Sequence, residues 1–294
     1  MRQQSKAYAC ALGAVLMWST VASAFKLALR HLDPVQLVFW SSVASVVVLA
    51  GVLLAQGRLR LAFGYGRREY AQSLVFGLCN PLLYYLVLFK AYDLLPAQEA
   101  QPINYTWAVT LALLSIPLLG QRIGRWDLAA TAVSYLGVVV IATHGDPLAM
   151  RFSSPLGVAL ALGSTVIWAL YWIYNTRDRR DPVVGLFLNF LFSLPFAWAA
   201  CAVWSVVWPV PWAGVAGAAY VGAFEMGFAF VLWLAALKLS ENTAKVGNLI
   251  FLSPFLSLFF IHLFVGETIA ASTFAGLGCI MAGLGIQKWG RGRR

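Results

Sequence analysis

The chain has 294 residues, of which 61% are hydrophobic and only 11% are charged, and its formal net charge is +10. Soluble domains average about 25% charged residues, so this composition excludes an ordinary soluble fold. It indicates an all-helical protein that crosses the lipid bilayer many times. Because no basic cluster falls in a soluble domain, the positive charge does not predict a nucleic-acid partner.

Ten apolar stretches are long enough to cross the hydrocarbon core of a bilayer as helices, which takes about 20 residues each. Prolines and paired tryptophans in the run Trp208-Pro209-Val210-Pro211-Trp212 predict the turn between the seventh and eighth stretches. The ten predicted spans cover residues 7–29, 34–56, 70–92, 97–119, 126–144, 154–176, 182–206, 212–238, 242–265 and 269–288.

The distribution of basic residues gives the predicted orientation. If the loops alternate between the two sides of the membrane, only Lys26, Arg30, Lys90 and Arg151 face the side opposite the N-terminus, which leaves 17 of the 21 Lys and Arg on the N-terminal side. Cytoplasmic loops are the ones enriched in Lys and Arg. The pattern therefore predicts ten spans with both termini in the cytoplasm.

The two halves of the chain, residues 1–150 and 151–294, resemble each other. Residues 11–18 read ALGAVLMW and residues 161–168 read ALGSTVIW. Further matches pair Asp33-Pro34 with Asp181-Pro182, and Gly120-Gln121-Arg122-Ile123 with Gly266-Glu267-Thr268-Ile269. If each half holds five spans, the second half must be inserted upside down relative to the first, which is an architecture of secondary transporters.

Two polar side chains lie at the centres of predicted spans, at equivalent places in the two halves. Glu225 is in the middle of the eighth span, and Asn80 is in the middle of the third. A polar or ionisable group at this depth costs several kcal/mol unless it is paired or hydrated. We therefore expect both residues to face an interior cavity, although a protonated Glu225 bonded to a neighbouring helix is the structural alternative.

Two central prolines predict interrupted helices. Pro81 follows Asn80 in the third span, and Pro254 lies beside Ser253 in the ninth. Proline removes one backbone hydrogen bond, and transporters use such breaks for binding and as hinges. The alternative for each proline is an ordinary packed kink.

Aromatic and amide side chains complete the candidate site. Trp168, Tyr171 and Trp172 share one face of the sixth span by helical spacing. Aromatic faces receive flat apolar groups or ammonium groups, although packing between helices explains each ring equally well. The predicted substrate-binding residues are Trp18, Asn80, Tyr84, Asn104, Tyr105, Trp107, Trp168, Tyr171 and Glu225, with Pro81 and Pro254 as hinges.

The middle of every predicted span lacks Lys and Arg, which argues against a strongly anionic substrate such as a phosphate ester. A neutral, zwitterionic or cationic small molecule fits better. The four cysteines and three histidines form no ligand spacing, so we predict no metal and no cofactor. An enzyme would need a nucleophile with its base, paired acids or a metal set. We find no histidine near Glu225 in sequence, no HExxH motif and no Gly-x-Ser-x-Gly motif, and therefore do not expect an enzyme.

The chain as a whole resembles the drug/metabolite transporter superfamily, in its ten-span branch with two EamA-type repeats. The resemblance rests on Trp18-Ser19-Thr20 in the first half and on Pro254, Gly266-Glu267, Gly276 and Gly283 in the second. The first half departs from the pattern, since Gly120-Gln121 replaces Gly-Glu. Asn104-Tyr105-Thr106-Trp107 is similar to a segment of the aromatic amino acid exporters of this branch.

The resemblance implies ten helices, a substrate bound between the halves and alternating access across a bacterial inner membrane. The leading interpretation is an exporter of amino acids or similar small amphipathic metabolites, in which Glu225 binds an ammonium group or carries a coupling proton. The alternative is a proton-coupled exporter of aromatic cations or drugs, and an intramembrane enzyme ranks below both. The sequence leaves the oligomeric state open.

Overall fold

The computed structural model describes residues 2–120, 124–146, 148, 152–175, 177–240 and 248–291, and every regular element in these ranges is helical. Several residues used above lie outside the described ranges. They are positions 121–123 of the repeated Gly120 segment, the start of the predicted ninth span at 242–247, and Arg122, Arg151, Lys245, Arg293 and Arg294.

The helices follow the apolar stretches in chain order. The α-helices are α1 (Arg2–Ala28), α2 (Pro34–Ala55), α3 (Arg67–Gly77), α4 (Tyr84–Leu94), α5 (Ala97–Asn104), α6 (Trp107–Leu119), α7 (Arg125–Ala142), α8 (Pro155–Asn175), α9 (Pro182–Trp204), α10 (Trp212–Tyr220), α11 (Ala229–Leu239), α12 (Ser253–Phe260) and α13 (Ala271–Arg291). Leu59–Phe63 and Asn248–Leu252 are 3₁₀ turns, and Leu78–Leu83, Val221–Phe228 and Ile261–Val265 are π-helical turns.

Eight helical stretches of the described chain are long and apolar enough to cross a membrane. They are Gln3–Ala28, Pro34–Ala55, Arg67–Leu94, Ala97–Leu119, Arg125–Ala142, Pro155–Asn175, Pro182–Trp204 and Trp212–Leu239. Each coincides with one of the first eight predicted spans. The ninth prediction overlaps a shorter apolar helix, Ser253–Val265, and the tenth overlaps α13, so the count of ten spans stays a prediction.

The chain packs as two compact units, which are described separately. The first unit comprises Met1–Phe89 and Asp178–Val265, and the second comprises Lys90–Arg177 and Gly266–Arg294. Each unit therefore contains helices from both halves of the sequence. The boundary between the predicted repeats, at residue 150, is a property of the sequence pattern and remains a prediction.

In the first unit, α2 and α9 pack against each other in opposite directions, and each begins at an aspartate. The Asp33 carboxylate accepts hydrogen bonds from the Val35 and Gln36 amides, as an N-cap does. Asp33 also accepts from the Ser205 hydroxyl, and the Gln36 side chain donates to the Val206 carbonyl at 2.9 Å. The start of α2 is thus tied to the end of α9.

The other end of this helix pair is held by charges. Asp181 caps α9 through the Val183 and Val184 amides and forms an ion pair with Arg58, just beyond the end of α2. The two helices are therefore antiparallel and joined at both ends. The helices α2 and α9 are equivalent members of the two sequence halves. Inverted repeats require equivalent helices to run in opposite directions, as these two do.

A buried arginine organises the same end of the first unit. Arg180 forms a two-pronged pair with the Asp178 carboxylate and donates to the Glu69 carbonyl and the Ser73 hydroxyl, at 3.0 and 2.5 Å. Its guanidinium lies 5.8 Å from the centre of the Tyr65 ring. Burial raises the pKa of the Tyr65 phenol, and the charge of Arg180 opposes that rise.

In the second unit, α7 and α13 are packed through glycines, also in opposite directions. A Cβ placed on Gly276 would lie 2.5 Å from the Gly137 carbonyl oxygen, and a Cβ on Gly290 would meet Trp126 at the start of α7. Small residues let helix backbones approach closely, which is a common way of packing helices in membranes. The contact leaves no room for a side chain at these positions.

Candidate functional site

Glu225 is a buried carboxylate in the middle of a 28-residue apolar helical stretch, Trp212–Leu239. The residue is 9% exposed. Its Oε1 accepts a hydrogen bond from the Tyr85 hydroxyl at 3.0 Å, and its Oε2 is buried without a hydrogen-bond partner among the described residues. One oxygen of the carboxylate is therefore available to a proton or to a positively charged group.

The equivalent polar residue of the first half, Asn80, is also buried. It is 1% exposed, and its Oδ1 atom has no hydrogen-bond partner in the part of the chain that the structure describes. Neither Asn80 nor Glu225 points outward from the first unit. A buried amide oxygen without a partner costs free energy, so both positions favour a polar occupant.

Both residues lie on π-helical turns. Asn80 is in the turn Leu78–Leu83, where its own φ of −144° and ψ of 115° are not helical, and Glu225 is in the turn Val221–Phe228. A π turn widens the helix by one residue and is often found at functional sites. The break expected at Asn80-Pro81 is present, and its counterpart at Glu225 occurs without a proline.

Aromatic rings surround the Tyr85 end of this pair. The Tyr85 ring centre lies 4.8 Å from that of Tyr84 and 5.3 Å from that of Phe89, which in turn contacts Phe25 at 4.9 Å. Tyr85 and Phe89 have no exposed surface. This packing fixes the position of the hydroxyl that Tyr85 directs at Glu225.

Trp18 of α1 packs against aromatic residues of α11. Its ring meets Phe230 at 5.8 Å and Trp233 at 5.4 Å, both edge to face. Such pairs contribute about 0.5–1.5 kcal/mol beyond their buried area. The contacts explain Trp18 as a packing residue of the first unit, and a role in binding remains a proposal.

The interruption expected at Pro254 is present as a change from a 3₁₀ turn to an α-helix, and Pro254 lies where the α-helix begins. The 3₁₀ turn Asn248–Leu252 precedes it, and α12 starts at Ser253 with Pro254 in its first turn. Proline costs little there, because the first amides of an α-helix have no partner within it. Its neighbour Ser253 accepts a 3.3 Å hydrogen bond from the Ser19 hydroxyl of α1.

In the second unit, the segment Asn104-Tyr105-Thr106-Trp107 is the junction between two helices. Asn104 ends α5, Tyr105 caps it, and Trp107 begins α6, all within the apolar stretch Ala97–Leu119. The Asn104 amide donates to the Ser164 hydroxyl of α8 at 2.9 Å. This interruption was not predicted, because neither glycine nor proline marks it between residues 104 and 107.

The predicted aromatic face of the sixth span forms as expected. Trp168 lies 6.1 Å from Tyr171 and 5.8 Å from Trp172, measured between ring centres. Tyr171 is buried, whereas Trp168 and Trp107 are half-buried. Helical spacing alone was sufficient to identify this cluster.

The predicted site residues are thus divided between the two units. The first unit contains Trp18, Asn80, Pro81, Tyr84, Glu225 and Pro254, and the second contains Asn104, Tyr105, Trp107, Trp168 and Tyr171. No group of three or more His, Cys, Asp or Glu side chains in the described residues could hold a metal ion.

Sequence reasoning selected Tyr84 and missed Tyr85, the residue that bonds Glu225. In an α-helix the residue four positions after Asn80 shares its face, which favours Tyr84. The π turn Leu78–Leu83 adds one residue to this part of the helix, so α-helical counting across it does not point to Tyr85. A second tyrosine beside the first was the only available signal.

The sequence matches that of a known protein family. Residues 5–143 and 155–286 match the model of the EamA-like transporter family. The protein YddG of Ancylobacter novellus, named an aromatic amino acid exporter, is 26% identical over 252 residues, which cover 83% of each chain. A probable amino-acid metabolite efflux pump of Salmonella typhimurium is 25% identical over 298 residues, covering 95% of this chain and 94% of the pump.

A solved crystal structure shares the fold, with a TM-score of 0.66, 23% identity and coverage of 96% of both chains. The family model matches the two halves of the sequence in turn and together covers most of the chain. The protein is therefore a multi-pass membrane protein that belongs to the EamA-like transporter family of the drug/metabolite transporter superfamily.

Proposed function

We propose that this protein is a secondary transporter that exports amino acids, or similar small amphipathic metabolites, across a bacterial inner membrane by alternating access. The names of two relatives, an aromatic amino acid exporter and a probable amino-acid metabolite efflux pump, support this substrate class. The observation that carries the proposal is the Glu225 carboxylate, buried at mid-span with one oxygen bonded to Tyr85 and the other without a partner in the described chain.

Glu225 has the chemistry to bind the amino group of such a substrate. A buried carboxylate is costly unless a cation or a proton compensates it. The Oε2 atom, which has no partner among the described residues, would accept a hydrogen bond from an ammonium group, while the Tyr85 hydroxyl holds Oε1 in place. When no substrate is bound, a proton would occupy the same oxygen, and an exchange of proton for substrate would follow.

Asn80 and the aromatic residues would bind the remainder of the substrate. The Asn80 amide is buried at a break in its helix. Such a break leaves some backbone N–H and C=O groups without their helical hydrogen bonds. The rings of Tyr84 and Trp18 belong to the same unit. We propose that Asn104, Tyr105, Trp107, Trp168 and Tyr171 of the second unit also contact substrate, with the Trp168 cluster offering an apolar face.

The transport cycle that we propose uses two inverted five-helix repeats and termini in the cytoplasm. The antiparallel packing of α2 with α9, and of α7 with α13, supports this arrangement, since these are equivalent helices of the two halves. Pro81, beside the non-helical Asn80, and Pro254, at the start of α12, would act as hinges.

Counterflow in proteoliposomes tests the proposal. Vesicles loaded with an unlabelled neutral amino acid should accumulate the labelled form from outside when they contain the protein. We expect Glu225→Gln and Trp168→Ala each to reduce this flux at least tenfold, equivalent to about 1.4 kcal/mol. Trp198→Ala is the matched control, because Trp198 is 53% exposed on α9. Unchanged flux in both variants would refute the assigned site.

An exporter of aromatic cations is the second candidate, and the tyrosine pair next to Glu225 favours it. The Tyr84 and Tyr85 rings adjoin, and the Tyr85 hydroxyl bonds the Glu225 carboxylate, a combination that suits a cation with an aromatic body. Efflux of such cations that dissipates an imposed pH gradient, in vesicles that carry no amino acid, would favour this candidate over the first.

A further inference from the structure

A second buried carboxylate, Glu99, lies in the first turn of α5 in the second unit. Its side chain is 4% exposed. The Oε1 atom accepts a hydrogen bond from the Ser153 hydroxyl at 2.8 Å and lies 3.0 Å from Nε2 of His144. The Oε2 atom is buried and has no hydrogen-bond partner within the described ranges. All the polar contacts of this carboxylate are therefore on one oxygen.

This oxygen joins the ends of three helices. His144 follows the last residue of α7 by two positions, and Ser153 precedes the first residue of α8 by two. Glu99 itself belongs to the first turn of α5. A change of charge in the cluster would consequently act on three helix ends at once.

The cluster does not have the geometry of a catalytic triad. Ser153 Oγ lies 3.0 Å from Nε2 of His144, the same nitrogen that contacts Glu99. A triad uses one ring nitrogen for the hydroxyl and the other for the acid. In addition, Ser153 donates its proton to the carboxylate, so the imidazole cannot activate it as a nucleophile in this arrangement.

The different exposures of His144 and Glu99 favour a role for the cluster in binding a proton. The His144 side chain is 49% exposed, whereas Glu99 is nearly sealed from solvent. Imidazole is the side chain that changes charge near neutral pH. When His144 is neutral, its contact with Glu99 is a hydrogen bond, and when it is protonated the contact becomes an ion pair next to a buried carboxylate.

Two further acidic side chains, Glu267 and Asp146, belong to the surroundings of this cluster. The Glu267 carboxylate acts electrostatically on Glu99 and is itself held by the Ala97 and Gln98 amides at 2.8 and 3.0 Å. Asp146 is exposed two residues beyond His144. In the described chain both additional groups are acidic.

We propose that Glu99, His144 and Ser153 form a proton-binding site, and that proton uptake by His144 tightens the junction of α5, α7 and α8. The ligand of this site is the proton itself, and the solvent-exposed imidazole is the group that takes it up. The site is separate from Glu225 and needs no substrate to operate.

Thermal unfolding of the purified full-length protein tests this proposal without any transport measurement. The variants are Glu99→Gln, His144→Gln and the double substitution, measured at about pH 5.5 and about pH 8.5, on either side of the usual histidine value near 6.5. We expect the two single losses to be non-additive by about 2–4 °C at the acid pH. At the alkaline pH the non-additivity should be smaller, because a hydrogen bond then replaces the ion pair.

One control variant and one fallback comparison keep the test decisive. His262→Gln, which replaces an exposed histidine of the first unit, should leave the pH dependence of stability unchanged. If Glu99→Gln does not fold, His144→Gln alone must still lose more stability at the acid pH than at the alkaline pH. Equal non-additivity at both pH values would mean that Glu99 and His144 share a hydrogen bond that does not depend on a proton. Additive losses of stability at both pH values would mean that the two residues are not coupled. Either result overturns the proposal.

Discussion

The hydroxyl of Tyr85 offers a direct test of the charge on Glu225. Tyr85→Phe removes the hydroxyl that donates to Oε1 at 3.0 Å and keeps the ring, which has no exposed surface and packs on Tyr84 and Phe89. After the substitution, neither oxygen of Glu225 retains a described partner. The effect therefore reports the strength of a single hydrogen bond.

The magnitude depends on whether the acceptor is ionised. Hydrogen bonds to charged groups contribute about 1.5–3 kcal/mol, and those between neutral groups about 0.5–1.5 kcal/mol. At an alkaline pH, where substrate-free Glu225 has released the proton proposed above, we expect Tyr85→Phe to cost the larger amount in the wild-type background and the smaller amount in the Glu225→Gln background. The difference, about 1 kcal/mol or more, is the coupling between the two residues.

Unfolding of the detergent-solubilised protein measures this coupling, and Tyr70→Phe provides the control. Tyr70 lies on the same helical stretch and donates its hydroxyl to the Ala62 carbonyl at 2.9 Å, a neutral acceptor. Its loss should cost about 0.5–1.5 kcal/mol in both backgrounds. If Tyr85→Phe behaves in the same way as this control, the argument that Tyr85 supports a charged carboxylate is refuted.

Three other substitutions test the packing and the second unit. Asp178→Asn should destabilise the protein by about 3 kcal/mol, because it leaves the buried Arg180 guanidinium without its counter-ion, and a lower melting temperature would report the loss. Gly276→Ala should cost about 1–3 kcal/mol by forcing α7 and α13 apart, whereas Gly278→Ala on the same helix has open space and should cost little, as unfolding of the two variants would reveal. Asn104→Ala should lower counterflow about tenfold if this amide contacts substrate, and wild-type flux would exclude that contact.

Much of the fold was predictable because bilayer thickness dictates the length of apolar helices. Eight apolar helical stretches match the bounds of the first eight predicted spans to within a few residues, for example Pro34–Ala55 against 34–56. The aspartates at positions 33 and 181 precede prolines at the first helical position, a sequence signature of a helix start. In the ninth span Pro254 likewise lies in the first turn of α12, but no aspartate precedes it, and the 3₁₀ turn Asn248–Leu252 was not predicted.

The candidate site was predictable only in part. Burial of Glu225 and Asn80 followed from the cost of polar groups at mid-membrane depth, and both are buried. The hydrogen-bond partner of Glu225 was not predictable, because Tyr85 lies 140 positions away from it in sequence. The same applies to the Glu99 cluster, whose members come from three separate helix ends.

The π turn at Glu225 has a consequence for deletions in this helix. Removing one residue from Val221–Phe228 would let the turn revert to α-helix and rotate α11 by about 100° about its axis relative to α10. Trp233 and Phe230 would then turn away from Trp18, whose ring they now contact. A single-codon deletion here would thus rotate an entire helical segment about its axis.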